Sequence, residues 1–241
     1  MIARLLRCTA AAIGCLAAGA FAQAPSTSEE GLLFSLSGDK ALVADHAGGL
    51  AEPIFARGAK VIPDGAAGPA LSLDDDLTLA WSGPGNIYAQ RGTISFFFRA
   101  RAPLGRTPFP IFRVGYAEHS SWDMAWLRID WNGSGFDAFV TDTNLARTRV
   151  SFKLPEVPAA DTWTHVAFAW DEAVGVRLWI DGKPAAQAKR KAVYDAGLFG
   201  FGPFQRVVSP YQVHSMYNFR RSGDIDELRI YDRMLDDKAV A

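Results

Sequence analysis

Residues 162–186, TWTHVAFAWDEAVGVRLWIDGKPAA, decide the fold. Val166, Phe168 and Trp170 recur at every second position. After the DEAVG loop, Val176, Leu178 and Ile180 alternate with Arg177, Trp179 and Asp181. Side chains on a strand point alternately to opposite faces, so a two-residue period with one apolar face marks a half-buried antiparallel strand. Asp181-Gly182 supplies a tight hairpin turn, because both residue types tolerate the positive φ that a two-residue loop demands. The stretch predicts two paired strands, a short loop between them and a second turn at 181–182.

Outward from this stretch, short apolar runs recur between clusters of Gly, Pro, Asp and Asn. Residues 32–36, 70–73, 93–100, 111–114, 125–130, 136–141, 150–154 and 225–231 all read as strands. In the run at 93–99, Ile94, Phe96 and Phe98 share one face while Phe97 points the other way, which suits a central strand covered on both sides. No helical period with caps precedes Leu235, and residues 234–241 read as the first turn of a helix. Many strands with no helices between them predict an all-β sandwich, not a βαβ protein.

The amino terminus stands apart. Arg4 and Arg7 precede an apolar, alanine-rich run from Cys8 to Ala20, and Ala20-Phe21-Ala22 places small residues at a cut. The run is too short to span a bilayer. It predicts a secretory signal peptide over residues 1–22, cleaved after Ala22, with delivery to the periplasm or beyond the cell. Residues 23–30 then form a polar flexible leader, and residues 31–241 a single domain. Both cysteines, Cys8 and Cys15, lie in the removed segment, so the mature chain has no thiol, disulfide or cysteine metal ligand. The 241 residues carry 25 Lys and Arg against 26 Asp and Glu, a formal net charge of −1. Without a basic excess to gather phosphates, nucleic acid is excluded as an expected partner.

Three separated segments carry a family resemblance. Gly92-Thr93-Ile94-Ser95-Phe96 is the first, with Phe97 where the family usually has Trp. The second comprises Thr162-Trp163-Thr164-His165-Val166-Ala167 and Leu178-Trp179-Ile180-Asp181-Gly182-Lys183. Gly223-Asp224-Ile225-Asp226-Glu227-Leu228-Arg229-Ile230-Tyr231, followed by Leu235, is the third. In order and spacing they resemble laminin-G-like modules of the concanavalin A-like lectin/glucanase group. The resemblance implies a two-sheet antiparallel jelly-roll β-sandwich (concanavalin A-like) whose first and last strands lie side by side. It makes Trp163, His165 and Asp181 framework residues. It also implies a structural calcium near the meeting of the end strands, with Asp45, Asp224 and Asp226 as ligands. The loop Asp45-His46-Ala47-Gly48-Gly49 keeps the Asp and Gly of the family's Asp-x-Ser-Gly-Asn but lacks its Ser and Asn. Calcium takes roughly six to eight oxygens, so carbonyls and water would complete such a set. The alternative is that Asp226 caps, or pairs with Arg229 or Arg233, and holds no metal.

Two enzymatic readings on this fold meet obstacles. Glucanases that retain configuration need two carboxylates flanking the glycosidic bond. The nearest string, Asp224-Ile225-Asp226-Glu227, lies on the closing strand and puts its last two acids on adjacent positions. Alginate-lyase-type jelly rolls use Gln-x-His with an Arg-rich strand; Gln212-Val213-His214 and Glu227-Leu228-Arg229 resemble these but come in the reverse order, and the later Tyr-Lys-Ala-Gly strand is missing. No Ser-His-Asp, H-E-x-x-H or phosphate-cradling glycine motif is present, so no catalytic residue is assigned. A noncatalytic binding role fits better. Sugars stack on aromatic planes while polar groups bond their hydroxyls, and two turn-rich stretches are dense in both. They supply the expected carbohydrate-binding set Trp122, Trp126, Trp131, Asn132, Arg206, Tyr211, His214 and Tyr217. The expected partner is a polysaccharide, with further domains of a larger protein as a second possibility. A polysaccharide-degrading enzyme and a protein-adhesion module are the alternatives.

Overall fold

A computed structural model of the chain describes residues 29–73, 78–115, 125–141, 146–190 and 223–241. In chain order the strands are β1 (Leu32–Leu36), β2 (His46–Ala47), β3 (Phe55–Arg57), β4 (Lys60–Ile62), β5 (Ala70–Leu73) and β6 (Thr78–Ala80). They continue with β7 (Arg91–Arg99), β8 (Phe109–Gly115), β9 (Ala125–Trp131), β10 (Gly135–Thr141) and β11 (Arg147–Lys153). The last are β12 (Trp163–Asp171), β13 (Gly175–Ile180), β14 (Lys183–Lys189) and β15 (Gly223–Tyr231), followed by one short helix, α1 (Asp237–Val240).

A nine-stranded antiparallel sheet runs β14-β13-β12-β7-β15-β1-β2, with β5 also pairing β15 and β4 pairing β5. A four-stranded sheet runs β11-β10-β9-β8, and β3 and β6 form a separate short pair. The protein is thus the two-sheet antiparallel β-sandwich that the strand pattern predicts.

The deciding stretch folds as its period dictates. Val166 faces Ile180, Phe168 faces Leu178 and Trp170 faces Val176 across β12 and β13. The Asp171 carboxylate accepts the N–H groups of Ala173 and Val174 at 2.8 and 3.2 Å, closing the loop between these strands. Asp181 at φ 50 and Gly182 at φ 71 make the second turn. Positive φ at both central residues matches the right-handed twist of the flanking strands.

The inward rows of the two sheets meet in one core. Phe96 stacks on Phe112 at 5.9 Å between centroids, and Trp126 meets Trp170 edge-on at 5.5 Å. Burying each large side chain contributes roughly 1.5–3 kcal/mol, and the described residues, which contain no cysteine, draw their stability from this core. β15 lies between β7 and β1, with Phe34 opposite Ile230 and Leu36 opposite Leu228, so the first and last strands are side by side. Its pairing slips between Asp226 and Arg229, where Glu227 takes φ 49.

The outer face of the large sheet is partly closed by the carboxy-terminal residues. Met234 and Val240 pack on Ala167, Ala169 and Trp179. The Trp179 Nε1–H donates to Asp237 Oδ1 at 2.9 Å, and the Asp236 side chain caps α1 by accepting from Ala239 N. The helical turn expected at 234–241 is therefore present. Strands β2, β3, β4 and β6 have no counterpart in the sequence reading, because two or three residues are too few to display a period.

Candidate functional site

Five of the eight residues expected to bind sugar, Trp122, Arg206, Tyr211, His214 and Tyr217, lie outside the described residues. Two others need correction. Trp126 is 2% exposed and Trp131 fully buried, both within the core, so neither ring face is open for stacking. The Trp131 Nε1–H donates to the Gly105 carbonyl at 2.7 Å, which ties the 105 region to β9. Asn132 shapes the turn between β9 and β10: its Oδ1 accepts from Ser134 N at 2.9 Å and its Nδ2 donates to Asp137 at 2.8 Å.

The three acids expected to hold calcium are engaged separately. Asp224, 1% exposed, is gripped by Arg99 and Arg101. Asp226 accepts N–H groups from Ala67 at 2.9 Å and Glu227 at 2.8 Å. Asp45 accepts from Ser37 N and Ser37 Oγ at 2.6 and 2.8 Å. Among the described residues no three His, Cys, Asp or Glu side chains converge on a common point. The residues present therefore do not fit the expected calcium set, because the three acids do not converge and two guanidiniums already neutralise Asp224. The alternative pairing of Asp226 is not formed either: Arg229 bonds Glu227 and Glu29, and Arg233 bonds Glu30.

A different constellation stands on the face of the four-stranded sheet turned away from the core. Ala138 and Val140 pack with the core, so Phe139 between them points outward. Strand register places Arg113 opposite Arg128, Arg128 opposite Phe139, and Phe139 opposite Arg149, in one row across four strands. The guanidiniums of Arg147, Arg128 and Arg149 lie 4.6, 5.1 and 5.1 Å from the Phe139 centroid. Such contacts attract a cation to the negative face of the ring. On one side of this row Asp130 faces Asp137, and on the other Thr141 faces Arg147. Arg128 holds Asp130 Oδ2 through Nε at 2.9 Å and Nη2 at 2.8 Å. No motif announces this cluster in the sequence. A usable signal did exist: Arg128 alternates with Leu127 and Ile129, and Arg147 and Arg149 with Thr148 and Val150, which marks all three as outward.

Burial raises the Asp130 carboxyl above its ordinary value of 3.8; Arg128 opposes the shift, Asp137 adds to it and Arg149 opposes it. Its Oδ1 is buried with no hydrogen-bond partner among the described residues. The folded state therefore keeps this proton to a higher pH than the unfolded state does. The group's contribution to stability is full below 3.8 and is lost as pH rises from there through the folded-state value. Asp130→Asn is expected to remove that decline, read from urea unfolding free energies across acidic pH. An equal decline in both proteins would reject the assignment.

Ser95 Oγ and His165 Nε2 are 2.7 Å apart, and the Phe97 ring packs on His165 at 4.9 Å. Burial lowers the histidine's pKa, with Asp181 opposing. Asp181 Oδ1, however, accepts from the backbone N–H of His165 at 3.0 Å, and no bond from it to the ring appears. The arrangement fastens β12 to the turn at 181–182, as expected of framework residues.

A family model described as Laminin_G_3, of the concanavalin A-like lectin/glucanases superfamily, matches residues 74–241. No curated protein matches the chain in sequence. Solved structures do match in fold. The botulinum neurotoxin type G receptor binding domain is 14% identical with a TM-score of 0.59, over 87% of this chain and 49% of its own. The binding domain of Paraclostridial Mosquitocidal Protein 1 is 13% identical with a TM-score of 0.61, over 87% and 51%. The binding domain of botulinum neurotoxin DC in complex with SialylT is 14% identical with a TM-score of 0.59, over 87% and 49%. The chain thus spans about half the length of these structures. Among the described residues, no helix is long and apolar enough to cross a membrane.

Proposed function

Because the chain belongs to the concanavalin A-like lectin/glucanases superfamily, we propose that it is a secreted, noncatalytic module that binds a polysaccharide. The observation that carries this reading is the outward face of β8–β11, where guanidinium, carboxylate and aromatic groups stand in fixed rows on strands. Groups anchored on a sheet are held more closely than groups on loops, which is what repeated hydroxyl and charge recognition needs. The signal-like residues 1–22 support delivery to the periplasm or outside, where polysaccharides are met. Binding domains among the neighbours in fold, one of them in complex with SialylT, lend the same support.

The test is electrophoresis of the whole chain through gels containing a panel of polysaccharides, with parallel assays for reducing ends and unsaturated sugars. Retarded migration with no product is the expected result. Absence of retardation in every gel rejects the reading, and retention of a protein partner instead would favour adhesion. One observation favours a second reading, glycoside cleavage: Asp130, with its raised pKa, faces a second carboxylate, Asp137, and hydrolysis of a glycosidic bond uses such a pair. Product that appears with the wild type and vanishes in Asp130→Asn would establish it.

A further inference from the structure

We infer that the chain holds a second sugar site, on its larger sheet, where Arg177, Gln187 and Asp237 take adjacent hydroxyls of one neutral sugar residue. The ligand class rests on the glycan-binding reading. The place does not, because no residue of the β8–β11 face contributes to it. A cavity of about 360 Å³ opens beside α1, between β13 and β14, walled by Arg177, Trp179, Pro184, Ala185, Gln187 and Asp237. Small-ligand sites span roughly 300–1,000 Å³. Val176 and Leu178 pack in the core, so Arg177 and Trp179 face outward. Strand register sets Arg177 opposite Gln187, Leu178 opposite Ala186 and Trp179 opposite Pro184. Ala185 is thus an extra residue on β14, a bulge of the kind that re-aims its neighbours. Proline is tolerated beside it because β14 is an edge strand.

The polar groups of the cavity are held in place but not used up. The Trp179 Nε1–H fastens Asp237 Oδ1 at 2.9 Å. Arg177 Nη1 lies 3.8 Å from the same oxygen, too far for a hydrogen bond. Among the described residues, the Arg177 guanidinium, the Gln187 amide and Asp237 Oδ2 make no hydrogen bond. These groups select the charge of the ligand. One guanidinium and one carboxylate sum to zero, so an anion is repelled by Asp237 and a cation by Arg177. A zwitterion has to prise the two apart. A hydroxyl does neither, since it donates to the carboxylate oxygen and accepts from the guanidinium at once. The Gln187 amide, both donor and acceptor, serves the hydroxyl on the next carbon in the same way. Pro184 and Ala185 offer apolar wall to the C–H side of the ring. A neutral sugar brings all of these together.

The experiment titrates the whole chain with maltohexaose, mannohexaose and xylohexaose, and with trigalacturonate as the charged comparison, followed by NMR of the tryptophan side-chain N–H groups. The Trp179 Nε1–H signal, assigned by its absence in Trp179→Phe, reports the cavity because that group bonds Asp237. At least one neutral oligosaccharide is expected to shift this signal saturably. R177A/Q187A is expected to bind that sugar roughly tenfold more weakly at an unchanged melting temperature. Should the double variant misfold, Gln187→Ala, at an exposed position, is expected to lose severalfold. Trigalacturonate that shifts the signal and binds more tightly would make the ligand anionic and overturn the assignment. A neutral oligosaccharide that binds both variants as it binds the wild type would overturn this site alone. So would an unmoved Trp179 signal in a chain that polysaccharide gels still retard. No binding of any oligosaccharide and no retardation in any gel would remove both readings.

Discussion

Asp224→Ala is expected to lower the free energy of unfolding by about 3–5 kcal/mol, the cost of leaving a buried ion cluster without one partner. Asp224 is 1% exposed, and both of its oxygens are taken. Oδ2 accepts from Arg99 Nε at 2.8 Å and Nη2 at 2.6 Å, and Oδ1 from Arg101 Nε at 2.9 Å and Nη2 at 2.7 Å. These are two forked, charge-assisted pairs on one carboxylate. The Arg99 side chain is 11% exposed, lies 4.5 Å over the Trp163 ring, and among the described residues keeps only Asp64 at 3.1 Å as an ion-pair partner once Asp224 is gone. Asp224→Asn, which retains shape and one acceptor, should cost less than Asp224→Ala. Urea unfolding at neutral pH measures both. A loss below about 1 kcal/mol for the alanine variant would mean that water enters and solvates the guanidiniums, and that the cluster is surface-like.

Trp131→Ala is expected to cost about 3–5 kcal/mol of stability, as deletions of large buried aromatics do. The residue is fully buried and meets Phe136 edge-on at 5.7 Å. Trp131→Phe keeps much of the packing but removes the 2.7 Å hydrogen bond to the Gly105 carbonyl, which belongs to an exposed residue that water can reach, at an expected cost of about 0.5–1.5 kcal/mol. Unfolding curves measure these losses, and gel retardation at a temperature where each variant stays folded reads binding separately. Loss of binding at unchanged stability would return Trp131 to the sugar-binding role and contradict its burial.

The fold was legible because its signals are local. The two-residue period and the Asp181-Gly182 turn act over a few positions, and the structure honours both. The same period held the answer for Trp131, which shares its face with Leu127 and Ile129 and so points inward with them. Reading the aromatic density of the stretch instead of its alternation placed the ring at the surface. Trp126 was harder to place: it adjoins inward-facing Leu127, and both are buried because the β8–β9 register slips between Val114 and Gly115. Such a slip leaves no trace in composition. For Asp224 and Asp226, alternation gave the shared face correctly. Their partners could not be foreseen, since Arg99 is 125 residues away along the chain. The arginine face was hidden for the same reason. Each outward arginine alone looks like an ordinary solvated strand position, and only inter-strand register collects them about Phe139.

The placement of β15 bears on how the molecule comes into being. This strand is the last to be synthesised among those described, yet its neighbours in the sheet are β1 and β7. Until it arrives, the backbone N–H and C=O groups that β1 and β7 will offer it stay unpaired, and those edges can recruit any passing strand. Closing that gap joins segments far apart in sequence, and contacts so distant form slowly. Assembly of the central ladder therefore waits for β15, and the facing edges of β1 and β7 stay open until it pairs with them.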